Sequence, residues 1–293
     1  MNKPRLAISF SGGRSSAVML WLCLRKYAET HDILITFANT GCEDDRTLEF
    51  VDAVDRHLAG GRVVWIEGVT NGKGVGPTAK VVDYETASRN GEPFEAAIQK
   101  HGVFCKTHPQ CTSRLKEEPM ISYRRSVGWG PGSYDTAIGI RADEIDRCSS
   151  KAKEKRFIYP LVEHGLTKRD VNKYMAQFEW DLKLPNDAWG NCVWCWKKSK
   201  RKLMTVAKAE PERFDFPARM EQEYGHINKG TQPPTKPRVF FRENQSAADI
   251  IHDANTQKFR LYRDDQFEQG MLFDNDLDIG SGCGESCEIG ADE

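Results

Sequence analysis

The chain of 293 residues carries 42 Lys and Arg against 43 Asp and Glu, but this balance hides a split. No Lys or Arg follows Arg263 and the last thirty residues hold ten acids, so the first 263 residues set 42 basic side chains against 33 acidic ones, which keeps a polyanionic ligand in play. No run nears the roughly 18 apolar residues of a membrane span, and the start lacks a signal peptide's long apolar region; a cytoplasmic protein without membrane contact is expected, in which nine cysteines point to metal or thiol chemistry and not to a disulfide framework.

Arg5–Phe10 is a short apolar run ending at Ser-Gly-Gly and reads as a buried strand. Ser15–Tyr27 follows with Val18, Met19, Leu22 and Cys23 at helical spacing, so Cys23 reads as packing. Ile33–Phe37 and Arg62–Ile66 read as strands around a helix at Thr47–Leu58. This alternation predicts a parallel, twisted α/β sheet with helices on both faces. Gly68–Pro77, with four glycines and a proline, reads as a loop. Thr112–Arg125 reads as a helix, Tyr134–Ile140 as a strand, and Thr167–Phe178 as an amphipathic helix capped by Thr167 with Asp170. Val193–Ala207 reads as a basic helix. The breaker cluster Gln232–Pro237 suggests three parts: a main domain over 1–231, an irregular extension over 232–263 and an acidic tail over 264–293. Cys42 and Cys148 have no evident partner.

The segment Ser11-Gly12-Gly13-Arg14-Ser15-Ser16 sits between a strand and a helix. Its glycines let the backbone approach an anion, and the helix start offers unpaired N–H groups and the positive end of the helix dipole. The serines add hydroxyl donors and Arg14 adds charge. It is neither a Walker loop nor a dinucleotide G-x-G-x-x-G fingerprint.

Ser-Gly-Gly-x-x-Ser after a first strand resembles the PP-loop of N-type ATP pyrophosphatases and of their relatives, the phosphoadenosine phosphosulfate reductases. Other segments resemble family motifs in order: Asn39-Thr40-Gly41-Cys42-Glu43, Cys111–Pro119 with Arg114 and Lys116, Gly139-Ile140-Arg141, Tyr159–Leu161 leading into Thr167–Tyr174, and Cys192-Val193-Trp194-Cys195. Together they span roughly residues 5–205. The resemblance implies an adenine nucleotide α-hydrolase-like fold that binds an adenine nucleotide: phosphoadenosine phosphosulfate, adenosine phosphosulfate, or ATP with Mg²⁺. The loop residues, Asn39, Thr40, Gly41, Glu43, Gly139 and Arg141 would hold the nucleotide, and Arg114 and Lys116 would contact small anions. Ser15 stands where ATP-splitting relatives usually carry Asp, which leans toward a sulfonucleotide.

Cys192-x-x-Cys195 spaces two thiols to grip one centre, and Cys105 and Cys111 are the available partners. The resemblance makes a 4Fe–4S cluster the first expectation, with Zn²⁺ on the same four cysteines as the alternative. In the tail, Cys283-Gly284 resembles the nucleophile of sulfonucleotide reductases, whose covalent intermediate an external thiol such as thioredoxin resolves. Trp194 and Trp196 before Lys197, Lys198, Lys200, Arg201 and Lys202 suggest a face for single-stranded tRNA or DNA. Two further readings are therefore kept: an ATP-dependent sulfur transferase acting on nucleic acid, and a non-catalytic nucleotide- or partner-binding module. The oligomeric state is open.

Overall fold

A computed structural model describes residues 3–227 and 236–264. Its strands are β1 (Arg5–Ser9), β2 (Asp32–Asn39), β3 (Val63–Val69), β4 (Thr78–Val82), β5 (Asp135–Ala137) and β6 (Phe157–Ile158). Helices are α1 (Arg14–Tyr27), α2 (Asp45–Val54), α3 (Glu92–His101), α4 (Glu118–Ser126), α5 (Ala152–Lys155), α6 (Pro160–Glu163), α7 (Lys168–Met175), α8 (Lys200–Ala209), α9 (Asp215–Tyr224) and α10 (Ala247–Thr256). The strands form one sheet in the order β4-β3-β2-β1-β5-β6.

Strand alternation sorts the sheet into two faces. Leu6, Ile8, Phe10, Ile35, Phe37, Val63 and Trp65 join Val18, Met19, Val51 and Met175 in the main core, on the side of α1, α2 and α7. The opposite face is narrower, with Ala38 and Ile66 packed against Met120 of α4. Gly68 permits that approach, because a Cβ there would lie 3.1 Å from Pro119 Cγ and 3.3 Å from the Arg114 carbonyl. The chain thus places helices on both faces, as the apolar periodicity predicts.

The sheet is not wholly parallel. β4 pairs antiparallel with β3, Gly68 opposite Ala79, after the glycine loop. Its burial is slight along Thr78–Val81, so the strand lacks the apolar run that would announce it. The helix expected at Thr112–Arg125 opens with a wide π-type turn at Ser113–Glu117 before α4. The expected basic helix starts only at Lys200, because Ser199 caps it by accepting from the Lys202 N–H; residues 190–198 are turns. Thr167 and Asp170 form the expected capping pair, the hydroxyl donating to the carboxylate at 2.6 Å.

A second core gathers Phe94, Phe104, Trp189, Trp194, Trp196, Phe214, Phe240 and Ile250 from α3 and from the segments around α8, α9 and α10. Within residues 236–264, α10 packs along α8. Glu221 of α9 ties this region together by accepting from the Phe240 N–H at 2.9 Å and the Ala247 N–H at 3.0 Å. Burial outweighs those hydrogen bonds and pushes its carboxyl up to about 7, from an ordinary 4.5. The folded state therefore binds this proton more tightly than the unfolded chain, and stability falls as pH rises from about 4.5 through 7. The contribution is up to roughly 3 kcal/mol. Urea unfolding across this range should show that slope, and Glu221→Gln should flatten it; an unchanged slope would reassign it to other groups.

Candidate functional site

The site lies along the carboxyl ends of the parallel strands. β1 leads to β2 and β3 on one side, while the chain returns to β5 on the other, so β1 and β5 flank the point where strand order reverses. Open α/β sheets bind ligands in the crevice at that point. Three loops meet around it: residues 10–16 after β1, 40–44 after β2 and 138–141 after β5.

Ser16 shapes the first loop. Its buried hydroxyl accepts from the Ser11 N–H (3.2 Å), the Gly13 N–H (3.3 Å) and the Ser11 hydroxyl (2.9 Å), and donates to the Gly13 carbonyl at 2.9 Å. Gly12 turns the chain at φ +83°, and a Cβ there would sit 3.0 Å from Thr47 Cγ2, 3.1 Å from Val51 Cγ2 and 3.2 Å from Phe37 Cε2. The loop then enters α1, whose first N–H groups have no intrahelical acceptor. Ser15, also buried, accepts from Arg141 Nη1 at 3.1 Å, joining the first loop to the third. Arg141 is itself oriented by Asp143 (3.1 Å) and Glu144 (3.2 Å). Gly139 lies two residues before it on the same loop. Arg14 takes another role: its guanidinium pairs with Asp181 at 2.8 Å and with the Leu182 carbonyl, anchoring α1.

In the second loop, Asn39 bridges strands by donating to Glu67 Oε1 (2.8 Å) and the Ser88 carbonyl (2.9 Å), while its own oxygen accepts from the Gly41 N–H at 3.1 Å. Gly41 needs its positive φ of +75° and its lack of a side chain, since a Cβ would meet the Gly91 backbone at 3.0 Å. Glu43 closes the turn: Oε2 accepts from the Thr40 N–H (3.0 Å), the Thr40 hydroxyl (2.8 Å) and the Cys42 N–H (3.3 Å). Its buried Oε1 accepts no hydrogen bond and lies 3.5 Å from Lys116 Nζ. Arg114, on the same π-type turn, binds both Glu118 oxygens at 2.7 and 2.8 Å and lines a neighbouring cavity of about 950 Å³ with the glycine loop Gly72–Gly76.

The Cys192–Cys195 segment docks on this second loop. Cys192 bridges to Glu43, and the Val193 N–H donates to the Cys42 carbonyl at 3.1 Å. Cys192 Sγ lies 3.5 Å from Thr40 Oγ1. Burial, then the Glu43 carboxylate, pushes the Cys192 thiol well above its usual range. Burial, then the neighbouring Cys192, does the same to Cys42. Cys105 instead faces Thr107 (3.2 Å) in a tight turn bridged to His108, and Cys111 is half-buried. Among the described residues no three His, Cys, Asp or Glu side chains converge to hold a metal ion. The centre expected at Cys105, Cys111, Cys192 and Cys195 is therefore not seen as an assembled donor set among the described residues.

Lys198 is the residue the sequence hides best. It is 0 % exposed and donates to the carbonyls of Ala188 (2.7 Å), Cys192 (2.9 Å) and Val193 (2.7 Å), so its ammonium organises the cysteine turn. The nucleic-acid face expected nearby is not displayed as such. Trp194 and Trp196 are each 3 % exposed, and Trp194 stacks on Phe216 at 5.4 Å inside the second core, out of reach of a base. Two buried charges carry no clear sequence signal, Glu67 on β3 and Arg124 on α4. An acid inside the apolar run VVWIEGV is the sole signal for Glu67; Arg124 has none. Cys283 and most of Gln232–Pro237 lie outside the described residues.

An α/β sheet with a glycine-serine loop at its reversal point is the architecture of a nucleotide-binding fold of the PP-loop type. A family model for the phosphoadenosine phosphosulfate reductase domain matches residues 5–157, and the chain belongs to that family. It is similar to the "Uncharacterized nin region protein ORF290" of Escherichia phage lambda, 31% identical over 294 residues covering 96% of this chain and 94% of that one. The crystal structure of phosphoadenylyl-sulfate (PAPS) reductase from Candida auris, a phosphate complex, matches at 17% identity and TM-score 0.33, over 59% of this chain and 72% of that one. No helix among the described residues is long and apolar enough to cross a membrane.

Proposed function

We propose that the protein binds an adenine sulfonucleotide, adenosine phosphosulfate or its 3′-phosphorylated form, with the phosphosulfate at the Ser11–Ser16 loop, and reduces it to sulfite. The observation that carries this reading is the junction of Ser15 with Arg141. It sets hydroxyl, N–H and guanidinium donors around the loop with Ser15 where a metal-binding Asp would favour Mg²⁺–ATP. An Arg fork matches such oxyanions. Gly139 would let the third loop approach the ligand, with Asn39, Thr40 and Gly41 shaping the opposite wall. Lys116, steadied by Glu43, would neutralise sulfonyl oxygens in this reading, and Arg114 would support the same segment.

In the proposed reaction the Cys283 thiolate attacks sulfur. The sulfur–oxygen bond to the nucleotide phosphate breaks, the nucleoside phosphate leaves, and Cys283 carries a thiosulfonate. An external dithiol of the thioredoxin kind then attacks Cys283 Sγ and displaces sulfite. Closure of the mixed disulfide by the dithiol's second thiol returns Cys283 reduced and leaves the dithiol oxidised. ATP-dependent sulfur transfer to tRNA or DNA is disfavoured by Ser15 and by the burial of Trp194 and Trp196.

Calorimetric titration separates these readings. Adenosine 3′,5′-bisphosphate or adenosine phosphosulfate should bind more tightly than ATP with Mg²⁺. Arg141→Ala should weaken binding about 10- to 100-fold, the loss of a charged hydrogen bond. Sulfite release with a dithiol should vanish in Cys283→Ser. Tight binding of ATP alone, or full turnover by that variant, would overturn the proposal.

A further inference from the structure

Arg124 is a buried cation whose partners are all neutral. It is 5 % exposed, in the last turns of α4, and reaches across the narrow face of the sheet. There the strands carry small side chains: Ala7 and Ser9 on β1, Thr36 and Ala38 on β2. Ser9 and Thr36 are register partners, so their side chains stand together on that face. The room they leave is filled by the Arg124 guanidinium, which donates to Ser9 Oγ at 3.1 Å and lies 5.3 Å from the centre of the Tyr134 ring. Met120 Sδ is a further, weak contact at 4.0 Å. Two buried polar atoms of this cluster, Arg124 Nε and Thr36 Oγ1, have no hydrogen-bond partner.

Other guanidiniums near the site are neutralised: Arg14 by Asp181, Arg46 by Asp44, Arg141 by Asp143 and Glu144. Among the described residues no carboxylate pairs with Arg124, and burial lowers its affinity for the proton. An uncompensated interior charge is costly, so its retention calls for an anion that arrives from outside. Ser9 precedes the anion loop by two residues, about 7 Å along a strand.

We propose that Arg124 is the buried counter-charge of the anion held by the Ser11–Ser16 loop, acting through the low-dielectric interior without touching it. The inference rests on the nucleotide reading above, and predicts an affinity that depends on ligand charge. At roughly 8 Å and an effective dielectric near 20, the attraction amounts to about tenfold or more in affinity per ligand charge. Being buried, it is screened by salt far less than a surface contact.

The test titrates adenosine, AMP and adenosine 3′,5′-bisphosphate against the wild type, Arg124→Met and Arg124→Lys by calorimetry, at low and moderate salt, with thermal unfolding of each ligand-free protein. Expected for Arg124→Met are unchanged adenosine affinity, AMP weaker by about 100-fold or more because its phosphate carries about two charges, a larger loss for the bisphosphate, and an unfolding temperature equal to or above that of the wild type. Arg124→Lys should recover AMP affinity to within threefold. Equal losses for all three ligands, or none, would assign Arg124 to packing. So would a methionine variant that does not fold beside a lysine variant that weakens all three ligands alike. A wild type that binds none of them overturns the nucleotide reading itself and this inference with it.

Discussion

Lys198→Met should lower stability by about 3–5 kcal/mol, the cost of leaving three buried carbonyls without their donor. Three carbonyls, of Ala188, Cys192 and Val193, lose their shared ammonium donor in one substitution, and methionine matches the length of the stem without replacing the ammonium. Each lost hydrogen bond to a charged group is worth about 1.5–3 kcal/mol, partly recovered by removing the buried charge. For a chain of this size the unfolding temperature should drop by roughly 10 °C. A second readout is local. Cys192 is held under Thr40 and Glu43 by the turn that Lys198 organises, so native-state alkylation of Cys192 should accelerate in the variant. An unfolding temperature within 2 °C of the wild type, with Cys192 still protected, would mean that the turn is held by other contacts.

Gly12→Ala should be the most damaging change in the anion loop. The left-handed backbone at φ +83° costs an alanine about 1–2 kcal/mol. Its methyl would press on Thr47, Val51 and Phe37 at 3.0–3.2 Å, in a core where overpacking costs a further 1–3 kcal/mol. Relief by shifting the loop would break the Ser16 hydrogen bonds that define it. Binding of adenosine 3′,5′-bisphosphate should therefore fall at least tenfold, and the unfolding temperature by about 5–10 °C. Near-wild-type binding in this variant would show that the loop tolerates another shape and that the anion sits elsewhere.

These cases show how legibility divides along the chain. The first strands, α1, α2 and the anion loop are readable because their signals are local: apolar periodicity over a few residues, then glycine at a sharp turn. The same holds for the Thr167–Asp170 cap. β4 was not readable, since an exposed edge strand lacks an apolar pattern and exists only through pairing with β3. The basic run after Trp194 misleads for a related reason. Charge count predicts a solvated stripe, yet Lys198 and Lys202 are buried, because Lys198 turns back onto the carbonyls of Ala188, Cys192 and Val193 and Lys202 lies against the ring of Tyr262, far along the chain.

The candidate site divides in the same way. Local motifs nominate Ser11–Ser16, Asn39–Glu43, Gly139 and Arg141, and the sheet brings these loops together at one edge. What each side chain does there depends on partners far along the chain: Arg14 turns to Asp181, Asn39 to Glu67, Ser15 to Arg141 and Arg124 to Ser9. The cysteine spacing suggests a metal grip, but ligand convergence depends on how separate segments fold together, which spacing along the chain does not fix. Residue order and periodicity alone suffice for the α/β class and for the glycine-serine turn between β1 and α1, because backbone conformation and apolar burial act over a few residues. The pairing of buried charges, the burial of the tryptophans and the docking of the Cys192 turn on Glu43 arise only on folding, because electrostatic and packing energies depend on separation in space and not along the chain.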